Sequence, residues 1–235
     1  MKIRIVLTCF LLVSVWNVFS QQNTTTETPA IVKVDSLYRE DQFYFAFTYN
    51  MLRDTPVGFS KSKFSSGFSA GFLRDMPINK KRTFAIAPGI GLTYNNYNQN
   101  IAVTLQDNTP VYTILNSTAV YSKNKFSQLQ IEVPIEFRWR TSTFESHKFL
   151  RIYGGFKFSY SVYDKSVFTD NEGKVVLTGN KDLNKLTYGA YISSGYNTLN
   201  VYAYYGLNAL FKSGKVGDEA LQMKALNVGV IFYIL

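Results

Sequence analysis

The chain has 235 residues, with 25 Lys and Arg against 16 Asp and Glu, one cysteine and one histidine. Cys9 lies inside the leading apolar stretch and His147 stands alone, so the rest of the chain has no disulfide, no thiolate chemistry and no Cys/His metal cluster. The formal charge of +9, less the two charges of Lys2 and Arg4 in that leading segment, favours an anionic lipid surface over nucleic acid, which an exported chain rarely meets.

Residues 1–20 read as an export signal. Lys2 and Arg4 precede the apolar run Ile5 to Val18, and Val18-Phe19-Ser20 ends on a small residue. The run is short for a membrane-anchoring helix, and polar residues follow it with no positive stop-transfer cluster. Residues 21–41 are polar and Thr-rich and read as a flexible periplasmic lead. After the leader no apolar run is long enough for a spanning helix, yet the chain carries 19 Phe and 17 Tyr. Alternating strands are the remaining way to use so many rings in an exported chain.

From Gln42 onward the period is two. The first expected strand, about 42–53, puts Phe43, Phe45, Phe47, Tyr49 and Met51 on one face and Tyr44, Ala46, Thr48 and Asn50 on the other. The second, about 64–74, sets Phe64, Phe68 and Phe72 against Ser65, Gly67, Ser69 and Gly71. The third, about 83–95, sets Phe84, Ile86, Ile90 and Leu92 against Ala85, Ala87, Gly89 and Gly91. The fourth, about 128–140, sets Ile131, Val133, Ile135, Phe137 and Trp139 against Gln130, Glu132, Glu136, Arg138 and Arg140. Pro134 falls on its polar face and, lacking a donor, predicts a bulge there. The fifth, about 148–160, sets Leu150, Ile152, Phe156 and Phe158 against Arg151, Tyr153, Gly155 and Lys157. The sixth (184–196), seventh (199–211) and eighth (222–235) continue the pattern.

Eight strands of this length are long enough to cross a bilayer when tilted. The expected fold is all-β: an eight-stranded antiparallel up-and-down transmembrane barrel over residues 42–235, apolar face in lipid, small and polar face in a narrow lumen. An even strand number puts both termini in the periplasm. Connections near residues 75–82, 141–147 and 197–198 are then the short periplasmic turns, and 54–63, 96–127, 161–183 and 212–221 the longer outer loops. In the second outer loop, Ile101 to Leu105 and Val111 to Leu115 predict a hairpin.

The last strand carries a pattern of its own. Asn227, Gly229, Phe232 and Ile234 match the polar, glycine and aromatic or apolar positions by which barrel-assembly machinery recognises its clients. The chain ends on Leu235, where many such barrels end on the aromatic residue.

Three segments carry a family resemblance: Arg74-Asp75-Met76-Pro77, Val133-Pro134-Ile135-Glu136-Phe137-Arg138 and Tyr153-Gly154-Gly155. With them the chain resembles the PorT-like outer-membrane β-barrel family of bacteria that possess type IX secretion, over essentially the whole of its length after the leader. The resemblance implies a Gram-negative outer membrane and allows a link to secretion-machinery proteins.

The informative polar set is Glu132, Glu136, Arg138, Arg140, Arg151 and Lys157, all expected to point into the lumen. Charges in so narrow a space must pair to stay ionised, which predicts an ion-paired plug. The rival is a narrow pore whose selectivity the same charges set. A lipid-modifying enzyme needs a nucleophile with a base, and His147 sits in a short turn beside Glu145 and Ser146. No catalytic, cofactor or metal residue is expected, and Asp164, Asp170 and Glu172 read as a solvated outer loop. Tyr94, Tyr97, Tyr112, Tyr121, Tyr160 and Tyr163 read as an interfacial girdle near the outer rim. The expected role is a closed, non-enzymatic scaffold or accessory that meets outer-membrane lipid and lipopolysaccharide, the barrel-assembly machinery and secretion proteins, with no nucleic acid and no cofactor.

Overall fold

The computed structural model describes residues 39–107, 109–141 and 150–234. The export signal, most of the polar lead and His147 lie outside the described residues. Eight long strands build the fold: β1 (Gln42–Arg53), β2 (Ser66–Leu73), β3 (Phe84–Asn98), β4 (Tyr121–Arg140), β5 (Leu150–Asp170), β6 (Leu186–Tyr196), β7 (Leu199–Gly206) and β8 (Lys224–Ile234). Each pairs antiparallel with the next. β8 then pairs with β1 from Phe43↔Ile234 to Arg53↔Lys224, which closes the ring. A closed ring satisfies the backbone without water, as a bilayer requires. The start of β1 and the end of β8 lie at the same end of the barrel.

The alternation read from the sequence sorts the two faces. Phe43, Phe47, Phe137, Ile192 and Val201 are exposed on the outside, while Tyr44, Thr48, Arg138, Ser193 and Asn200 are buried within. Small lumen residues make room for large neighbours. The space a side chain would take at Gly71 and Gly91 is filled by the Tyr44 ring, and at Gly189 by the Tyr204 ring. Replacing Gly91 with alanine drives a methyl into the Tyr44 hydroxyl. The expected cost is about 1–3 kcal/mol of overpacking, read as a lowered urea midpoint in detergent micelles.

Several strand limits differ from the sequence expectation. β4 and β5 are 20 and 21 residues long and extend well past their neighbours at the long-loop end. The segment expected as the third outer loop is therefore mostly strand. β5 runs to Asp170, and Lys174–Thr178 folds back on it from Lys165↔Thr178 to Thr169↔Lys174. The β-branched run Val175-Val176 favours extended backbone there. β7 stops at Gly206 rather than Phe211, and Leu210 and Phe211 turn inward. Pro134 makes no bulge: β4 and β5 stay in register from Gln130↔Ser161 to Arg140↔Arg151, with Pro134 opposite Lys157. The β3–β4 register is likewise unchanged between Pro88↔Ile135 and Gly91↔Glu132, so the missing donor costs ladder bonds but not alignment. The register shifts lie instead between Leu129 and Gln130, where Val162 is the extra residue on β5, and between Tyr121 and Lys123, where Ser122 is the extra residue on β4.

At the long-loop end the connections pack into a cap. Ile101–Gln106 and Thr109–Ile114 form the hairpin expected there, and Lys215–Val216 pairs with Glu219–Ala220. Ile101, Val103, Phe126, Phe211, Leu221 and Met223 form the apolar centre of the cap. Tyr97 and Tyr112, placed in the rim girdle by sequence, are buried in this centre. Tyr97 stacks on Phe126 at 6.0 Å between centroids and Tyr112 meets Phe211 edge-on at 5.5 Å. Tyr94, Tyr160 and Tyr163 do face outward.

Candidate functional site

The polar side chains of β4 and β5 meet in the lumen with partners from every part of the barrel. Nearest the short turns, Asp75 is fully buried. Its Oδ1 accepts from Arg138 Nη1 at 2.9 Å and Arg140 Nη1 at 2.8 Å, and its Oδ2 from Arg140 Nη2 at 2.8 Å. The second arginine thus forms a two-pronged grip, the strongest geometry available to a guanidinium and a carboxylate. Burial by itself raises the Asp75 carboxyl, but the hydrogen bonds and charge of Arg140, with the charge of Arg138, outweigh it and hold the group below the ordinary carboxylate range. The Glu40 carboxylate lies 3.6 Å from Arg140 and 3.7 Å from Arg151.

Glu136 links this layer to the next. Its Oε2 accepts from Arg138 Nε at 2.8 Å and its Oε1 from the Tyr233 hydroxyl at 2.7 Å. The Arg138 guanidinium lies 5.0 Å from the centre of the Tyr153 ring, a favourable face for a cation. Farther up, Glu132 accepts from the Thr93 and Tyr44 hydroxyls and pairs with Lys157 Nζ at 3.0 Å. Lys157 also donates to the Tyr202 hydroxyl at 3.0 Å and sits 5.4–5.7 Å from the ring centres of Tyr191, Tyr202 and Tyr204.

In this cluster four carboxylates (Glu40, Asp75, Glu132, Glu136) face four cations (Arg138, Arg140, Arg151, Lys157). The six residues singled out by sequence all point inward and are buried. Glu40 and Asp75 were missed, one assigned to the lead and one to a turn. A signal existed: the six contain four cations and two carboxylates, and a lumen that must balance needs two more acids. The inward tyrosines were legible by parity, but their hydroxyls became part of the network only through closure of the ring.

Above the ion pairs runs an uncharged belt. Thr48 donates to Asn50, Asn50 to Asn95, Asn95 to Gln130 and Gln130 to Thr187, at 2.8–3.2 Å. Thr48, Asn95, Gln130 and Thr187 of this belt, with the Glu132–Lys157 pair, line a polar cavity of about 30 Å³ beneath the cap, room for a water or two. Among the described residues no cluster of three His, Cys, Asp or Glu side chains is arranged to hold a metal ion.

Asn227 and Gly229 lie on the lumen face of β8, and Phe232 and Ile234 on its outer face. Asn227 lines the small polar cavity beneath the cap, whereas Gly229, Phe232 and Ile234 share with it only the strand.

A family model described as "Outer membrane protein beta-barrel domain" matches residues 19–212. No curated protein matches the chain in sequence. Two solved structures of Ail, the attachment invasion locus protein of Yersinia pestis, are similar to it. The one in complex with the heparin analogue sucrose octasulfate has a TM-score of 0.40 at 11% identity, over 83% of this chain and 99% of that one. The other has a TM-score of 0.36 at 10% identity, over 83% and 97%.

Proposed function

Because the chain belongs to the outer membrane protein beta-barrel domain family, we propose that it acts as a closed, non-enzymatic scaffold, exported by a cleaved signal, with both termini in the periplasm and the cap outside. The observation that carries this reading is the filled lumen. Arg138, Arg140, Arg151 and Tyr153 are each at most 2% exposed, and the three arginines are matched by carboxylates across the barrel. An ion crossing this layer must displace buried pairs, each costly to break. The cap presents a folded outer surface for a partner protein.

Planar-bilayer recording tests this. The purified protein is expected to leave the bilayer silent. Steady conductance steps that vanish in Glu136→Ala or Arg138→Ala would favour the pore instead, because those side chains would then line a conducting path. The narrower form of the proposal, an accessory of type IX secretion or gliding, rests on the PorT-like resemblance. Affinity isolation from native outer membranes tests it: secretion-machinery components among the captured proteins support it, and their absence removes it. A lipid-modifying enzyme is the remaining rival, and an altered lipid A profile in a deletion strain would revive it.

A further inference from the structure

The outer rim of the barrel is not evenly charged. On β4 the outward positions Trp139, Phe137, Ile135, Val133, Ile131 and Leu129 form the lipid-facing band. The ten steps from Leu129 to Trp139 cover about 33 Å, or about 25 Å of height at a tilt near 40°, the thickness of an outer-membrane apolar belt. β4 then continues outward, and Lys125 and Lys123 follow on the same face. Lys125 stands four residues above Leu129, about 10 Å higher by the same measure. That is the zone of lipid headgroups rather than of tails or bulk water.

Lys61 and Lys63, in the loop between β1 and β2, approach the same place. Lys61 bridges to Gln99, just past the end of β3, and its Nζ lies 5.3 Å from the centre of the Tyr49 ring. Tyr49 packs on Phe64 at 5.1 Å, and Phe64 on Phe47, so this cation tops an outward aromatic column. Asn98 ties the two sides together: it stands opposite Lys125 on β4, and its side chain donates to the Phe64 carbonyl at 2.6 Å. Between them is a crevice of about 400 Å³ lined by Lys63, Lys123, Ser62, Ser122, Asn98 and Tyr121. It adjoins a wider one of about 660 Å³ that includes Lys61, Ser60, Asn100 and Ser117. Among the described residues no carboxylate lines either crevice. Asp170, across from Tyr121, is the acidic group nearest along the ladder, and its Oδ1 accepts the turn amides of Glu172 and Gly173.

We infer that Lys61, Lys63, Lys123 and Lys125 form a binding site for the phosphorylated headgroup of an outer-leaflet lipid, with the acyl chains laid along the Tyr49–Phe64–Phe47 column. Lysine suits this task, since its long apolar stem lies along the ring surface while the ammonium reaches the phosphate. The hydroxyls and amides of the crevice suit a sugar-bearing headgroup. The inference rests on the orientation proposed above, with the cap outside, and does not depend on the scaffold role.

The test uses the barrel in detergent, incubated with bisphosphorylated lipid A or with the same lipid stripped of phosphate, and native mass spectrometry to count what stays bound. Retention of the phosphorylated lipid is expected to exceed that of the stripped lipid by about ten-fold or more. The combined Lys61→Gln, Lys63→Gln, Lys123→Gln and Lys125→Gln variant should lose that preference, and arginine at all four positions should restore it. Equal retention of the two lipids, or an unchanged preference in the glutamine variant, overturns the site. Displacement of lipid A by inorganic phosphate at equal concentration overturns the lipid source. Heat-shifted gel migration checks that each variant is folded. Labelling of Ser117→Cys on intact cells reads the orientation separately, so failure of that reading and failure of lipid binding give different results.

Discussion

Replacing Asp75 with asparagine is expected to destabilise the barrel by about 3–5 kcal/mol, the usual cost of leaving buried cations without their counter-charge. Asp75 holds both Arg138 and Arg140, and all three side chains are fully buried, so water cannot substitute for it. The measurement is urea unfolding in detergent micelles or lipid vesicles, followed by the emission of Trp139, the only tryptophan after the leader. Trp139 stands between the two arginines in β4, on the opposite face of the strand, and reports on the unfolding of this stretch of the barrel wall. A loss under about 1 kcal/mol would mean that Glu40 compensates and that Asp75 is not the anchor.

The pH dependence follows from the same contacts. The folded carboxyl of Asp75 titrates below its unfolded value, near 3.9. Its contribution is therefore fully present above about pH 4 and is lost as pH falls through the lower folded value. The gap in stability between the parent and Asp75→Asn should be constant near neutrality and close on acidification. A gap that widens in acid would contradict the assigned charge state.

Lys157→Met carries the second large expected effect, again about 3–5 kcal/mol, because Glu132 loses its cation in a fully enclosed position. The partner substitution distinguishes charge from packing. Adding Glu132→Gln to Lys157→Met removes the stranded carboxylate while keeping an acceptor for the Tyr44 and Thr93 hydroxyls. The double variant is expected to recover at least about half of the loss. No recovery would locate the cost in the fit of the lysine stem among Tyr191, Tyr202 and Tyr204 rather than in charge.

The eight strands were legible because a bilayer imposes a simple rule. One face must be apolar, the other must fit a narrow lumen, and the two alternate residue by residue. Hence Phe43 and Tyr44, or Phe137 and Arg138, could be assigned to opposite faces without coordinates. The long loops obey no such rule. Apolar residues there serve a local core, so Tyr112, Leu210 and Phe211 gave no sign in sequence of turning inward; Tyr97 shares the inward parity of Gly89 and Gly91, but the expected strand stopped at Asn95. The extension of β4 and β5 beyond their neighbouring strands was hidden for the same reason.

Sequence by itself determined the number of crossings, the lipid-facing side and the six charged residues of β4 and β5 that enter the lumen, since each follows from a local period of two. Tertiary structure alone decided that Glu40 and Asp75 complete the charge balance and that the loops close over the barrel. Those contacts join residues far apart in the chain, such as Asp75 with Arg140 and Tyr44 with Glu132, and ring closure is what brings them within hydrogen-bonding distance.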